Sequence, residues 1–179
     1  MEADCDSGGS LSLATPIEME MGHGIPPIQQ ALDHKIPWSL SNDVETEIPS
    51  DFFTQMRTNF FLQRMQIFAR ERAKESNVPP LLTVKDIVHV ATAGGARANW
   101  LDKRTGSLTP GKEADVILLT ASASNVDTVF VGGRAKKWQG QLVGADLDQL
   151  RTRSAQSRDY LLAQTKWPRT VLGGYLPGH

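Results

Sequence analysis

Ile36-Pro37-Trp38-Ser39-Leu40 is a short apolar run that a proline opens and a polar corner, Ser41-Asn42-Asp43, closes. It reads as a buried strand. Upstream, Ser10 to Ala14 alternates small polar and apolar residues and reads as another strand. Between the two, Met19 to Gly24 reads as loop, and Ile28 to His34 as a short helix whose first turn suits Pro26 and Pro27. Strand, loop, helix and strand in succession make the unit from which parallel α/β sheets and barrels are built. In a parallel barrel, catalytic groups gather at the C-terminal strand ends, where the following loops surround them. Asp43 occupies such a place and is the first candidate for chemistry.

The longest helix follows. Ser50 can cap it and Asp51 complements its N-terminal dipole. Phe53, Met56, Phe60, Phe61, Met65 and Phe68 recur at three- and four-residue spacing and predict the buried stripe. Pro79-Pro80 stops the helix. Thr83, with Asp86 three residues on, begins another, whose buried side is Ile87, Val88, Val90 and Ala91. Gly94-Gly95 breaks it, and Ala96 to Leu101 forms a short helical piece. His89 reads as a surface or hydrogen-bonded core histidine, since no second histidine stands at helical spacing.

From Gly106 the texture turns to strands: Asp115–Leu119, Val126–Val131, Arg134–Trp138 and Gln141–Val143. Gly132-Gly133 marks a two-residue hairpin between the second and third of these. A final helix runs from near Asp146 to about Thr165 with a thin apolar face, so it is expected on a surface. Pro168 to His179 reads as a poorly ordered tail.

Composition narrows the classes. With 40% apolar and 22% charged residues the chain is an ordinary globular one. A net charge of -1 gives no basic footprint, so no nucleic-acid partner is expected. The acidic start, Met1 to Asp6, has neither the basic nor the apolar part of a signal peptide, and no apolar run spans a bilayer. A cytoplasmic location with no membrane partner is the expectation. The single cysteine, Cys5, excludes an internal disulfide.

Gly106-Ser107-Leu108-Thr109-Pro110-Gly111-Lys112-Glu113-Ala114-Asp115-Val116-Ile117-Leu118-Leu119 closely resembles the segment of amidohydrolase-superfamily enzymes in which the chain returns from the barrel to a small β-sandwich. Asn125 to Arg134 resembles the hairpin that follows. Met21-Gly22-His23-Gly24, Ser39 to Asp43 and Phe53-Thr54-Gln55-Met56-Arg57 resemble the seventh loop, eighth strand and following helix of the cytosine-deaminase-like and triazine-hydrolase-like branch. The resemblance covers the chain to about Lys166 and implies an α/β fold, a partial (β/α)8 barrel remnant with part of the sandwich. The implied parts are residues 1–104, the barrel remnant; 105–145, the partial sandwich; 146–166, the C-terminal helix; and 167–179, the tail.

The family reaction implied is hydrolysis of a C–N bond, deamination of an amino-heterocycle-like small molecule, with a divalent metal, zinc or iron, activating water. Only Asp43 carries over from the family's metal set, as ligand and general base. His23 is placed in a loop near the pocket mouth, where it can contact substrate. The histidines, His23, His34, His89 and His179, form no His-x-His pair. A catalytic zinc takes about three protein ligands and a full barrel about 250 residues. The link Thr120–Ser124 is also shorter than the family's. The expectation is an amidohydrolase-like chain inactive alone, or a non-catalytic remnant that binds a partner or forms homo- or hetero-oligomers through exposed edges.

Overall fold

The computed structural model describes residues 8–44, 51–119 and 126–164. Cys5, Ser50, Thr120–Ser124 and the tail lie outside them. The first two strands are β1 (Leu11–Leu13) and β2 (Trp38–Leu40), and they pair in parallel with Leu13 opposite Leu40. The ladder runs from Leu11 N–H donating to Pro37 O at 2.8 Å to Ser41 N–H donating to Leu13 O at 2.9 Å. All three β2 residues are buried.

The crossover between them holds two helices, not one: α1 (Thr15–Glu20) and α2 (Ile28–Asp33). The expected loop over Met19 to Gly24 therefore starts later, after α1. Pro16 sits in the first turn of α1, and the Glu18 carboxylate accepts the Ala14 N–H at 2.9 Å. No side-chain cap marks its start, which leaves little local signal for it in the sequence.

Helix α3 (Phe52–Arg72) corrects two expectations. Asp51, rather than Ser50, caps it, accepting Thr54 N–H at 2.7 Å. Its fully buried face is Gln55, Asn59, Leu62, Gln63 and Ile67; of the expected stripe, Met56 and Phe60 pack half-buried against the core, while Phe61, Met65 and Phe68 are exposed. Phe61 and Met65 are 60% and 57% exposed, and Arg64 lies over the Phe60 and Phe68 rings. Asn59 and Gln63 go inward because their partners are there, whereas Gln55 Oε1 is buried without a hydrogen-bond partner among the described residues. Asn59 Oδ1 accepts from Thr15 Oγ1 at 2.8 Å. Gln63 Nε2 donates to Gln29 Oε1 at 2.9 Å and to Pro80 O at 3.1 Å, while its Oε1 accepts Leu82 N–H at 3.0 Å. Buried polar groups so satisfied are tolerated in a core, and an apolar count does not see them.

Helix α4 (Val84–His89) starts at a capping box between Thr83 and Asp86. Gly94-Gly95 does not break it. A π-helical turn, Val90–Gly94, leads straight into α5 (Gly95–Ala98), with both glycines in helical geometry. Gly94 is small for another reason: a Cβ there would stand 3.1 Å from Trp38 O. The helix thereby lies close against β2. Ile87 and Val90 are buried as expected, but Val88 is exposed.

The later strands, β3 (Val116–Leu119), β4 (Val126–Val131), β5 (Arg134–Trp138) and β6 (Gln141–Leu142), form one antiparallel meander in sequence order. Positive φ at Gly132 (55°) and Gly133 (74°) makes the tight hairpin. Asp115 ties the sheet to the preceding loop, accepting Gly132 N–H and Thr105 Oγ1, each at 2.8 Å. Those bonds hold its carboxyl below the usual range, the Gly132 amide contributing most. Helix α6 (Leu147–Gln164) buries no residue. No described helix is long and apolar enough to cross a membrane.

Candidate functional site

Parallel pairing sets the C-terminal ends of β1 and β2 side by side, and the candidate residues hang from those ends. On β2 the ladder closes at Ser41, and Asn42 and Asp43 follow it outside the strand. Asp43 has φ +59°, in the left-handed region that aspartate tolerates better than most residues. It is exposed. Beside it, Asn42 Oδ1 is buried and makes no hydrogen bond among the described residues. Asp43 therefore stands where the sequence put it, at a strand end.

On β1 the chain passes directly into α1. Glu18 reaches back to Ala14, the residue after the strand, so its carboxylate is fixed at the strand end. The chain then bends so that His23 N–H donates to Glu18 O at 3.0 Å. Glu18 and His23 line an open cleft of about 270 Å³ together with β1 and the Gly24–Pro27 segment. Asp43 is not among the lining residues. The structure thus brings His23 together with Glu18, which sequence reasoning passed over. An acidic residue in a first helical turn is the signal that could have found it, once α1 is recognised.

The expected metal can be tested against these donors. Among the described residues, no three His, Cys, Asp or Glu side chains come together as a metal-holding group. Asp43 brings one carboxylate, and His89 is exposed on α4. A catalytic zinc wants about three protein ligands and an open position, so the described donors do not by themselves fit the ion.

The model of the amidohydrolase family matches residues 10–136. Guanine deaminase of Mus musculus is 25% identical over 120 residues, which is 67% of this chain and 25% of that protein. Among solved structures, an adenosine deaminase from Xanthomonas campestris with bound zinc matches with a TM-score of 0.75 at 22% identity, over 91% of this chain and 40% of that one. Atrazine chlorohydrolase from Arthrobacter aurescens, complexed with zinc, matches with a TM-score of 0.64 at 18% identity, over 85% of this chain and 36% of that one. The chain thus spans about a quarter of the length of the guanine deaminases it matches.

Proposed function

This chain belongs to the amidohydrolase family, and from that premise we propose that it supplies the last strands of a metal-dependent hydrolase barrel, acting on a C–N bond of an amino-heterocycle. In this reading β1 and β2 are neighbouring barrel strands, and the β3–β6 sheet is part of the adjoining sandwich. Asp43 would be this chain's one carboxylate toward a divalent metal, which would supply an activated water when bound, and it would take that water's proton as the oxygen adds to the ring carbon. That proton returns to the departing nitrogen, which leaves as ammonia. His23 contacts substrate at the rim. The other metal donors come from outside the described residues, so the isolated chain turns over negligibly.

One observation carries the reading: an aspartate in the loop that follows the C-terminal end of a buried parallel strand, within the segment that the family model matches. Ammonia release from guanine, adenosine and cytosine, with zinc or iron(II) added, tests it. A longer polypeptide that includes these residues and the remaining donors should turn over, and Asp43→Asn should lower its rate by about 10³-fold or more, within the range attributed to acid–base groups. Turnover that survives Asp43→Asn contradicts the reading.

The exposed Phe61, Met65 and Phe68 on α3 favour a second reading, a module that associates with a partner or with itself. A monomer at all concentrations in light scattering, with no partner recovered, counts against it.

A further inference from the structure

We propose that Glu18 is the residue that reads the substrate's edge, and that it selects a planar heterocycle presenting two adjacent N–H donors. This deepens the function proposed above and rests on it.

Three observations carry the inference. Glu18 is half-buried and lines the cleft of about 270 Å³ at the end of β1. Its position is set by the backbone: Oε1 accepts the Ala14 N–H at 2.9 Å, while Oε2 makes no hydrogen bond among the described residues. A carboxylate held by one oxygen is preorganised, and it offers acceptor sites with no donor of its own. Lastly, Ala14 follows Leu13, whose carbonyl accepts Ser41 N–H two residues before Asp43. Glu18 and Asp43 therefore sit at the same end of adjacent strands.

The chemistry of the ligand follows from the acceptor-only face. A ring N–H beside an exocyclic amine presents two parallel donors, which a carboxylate takes as a charge-assisted pair. An amine beside a bare ring nitrogen presents one donor and one acceptor, and the acceptor would face the carboxylate lone pairs. His23, also on the cleft wall, carries an exposed aromatic ring on which a heterocycle can stack. If Glu18 serves only to cap α1, none of this discrimination exists.

Isocytosine, which presents the donor pair, and cytosine, which presents the mixed edge, are the probes. Each is titrated into the ¹⁵N-labelled full chain, with the Ala14 and Gly24 amides followed by NMR. The expected result is that isocytosine binds about tenfold more tightly than cytosine, the factor one charge-assisted hydrogen bond supplies at a partly open site. Glu18→Gln keeps an acceptor for Ala14 N–H but carries a donor as well, and it should erase the preference. Equal affinities in the wild-type chain, or a preference that Glu18→Gln leaves intact, would overturn the proposal. Should the variant lose its dispersed spectrum, the wild-type comparison decides alone. Turnover that survives Asp43→Asn in the longer polypeptide would instead sink the hydrolase reading while leaving this binding result standing.

Discussion

Between Leu11 and Ala98 the chain buries one apolar cluster that includes Leu13, Ile28, Trp38, Leu40, Leu62 and Ile87. Between Val116 and Gln164 the one buried described residue is Thr128, at 2% exposure. The first region is held by side chains taken out of water, around a parallel pair that needs cover on its faces. The second is held by ladder hydrogen bonds, tight glycine turns and an edge-on Phe130–Trp138 contact with ring centroids 6.1 Å apart. Ile117, Leu119, Trp138 and Leu142 remain exposed there. The parallel region thus carries its own core, whereas the meander presents apolar surface that its own strands do not cover.

The contrast should appear first in truncations. Trp38→Ala should cost about 3–5 kcal/mol, as removal of a large buried side chain does. Val131→Ala, at a position 51% exposed, should stay within about 0.5 kcal/mol. Urea denaturation followed by circular dichroism measures both, and equal losses would erase the distinction between the regions.

How far the sequence foretold this differs by element. The two parallel strands were legible, β1 from its alternation of small polar and apolar residues and β2 as a short apolar run with clear punctuation. Asp43 was placed by that strand and by its surrounding motif. Helix α1 was not legible, since no side-chain cap precedes it and Met19 to Gly24 reads as loop. The α3 stripe misled for a different reason. Hydrophobicity alone ranks Phe61 above Gln63, yet Gln63 has three hydrogen-bonding partners waiting in the core. Gly94-Gly95 reads locally as a break, and only the approach of Trp38 O shows why a helix keeps a glycine there.

The α3 reversal gives the next test. Gln63→Leu should destabilise by about 2–3 kcal/mol, because it leaves the Leu82 N–H and Gln29 Oε1 without their partner. Phe61→Ser should cost far less, about 0.5 kcal/mol. The opposite ranking would restore the aromatic stripe as the core face.

A smaller effect is expected at the close approach of α4 to β2. Gly94→Ala should cost about 1–2 kcal/mol, since its Cβ would press on a backbone oxygen at 3.1 Å. Gly132→Ala puts no such contact into the core, and its cost comes from positive φ alone.

The weakest expected effect is acid sensitivity confined to the meander. Asp115 is held below its ordinary value by Gly132 N–H first and then by Thr105. A depressed carboxyl contributes its stability above the unfolded value near 3.8 and loses it as pH falls through the lower folded value. Hydrogen exchange at Gly132 should therefore quicken below about pH 4 relative to the intrinsic rate. Asp115→Asn should remove that dependence, while the amides of β2 stay protected throughout.

The most direct measurement is the metal content of the purified chain after equilibration with zinc or iron(II) and removal of the excess. With Asp43 as its contribution to the centre, the chain should retain far less than one ion per molecule. A full equivalent, bound through imidazoles of these 179 residues, would contradict the account.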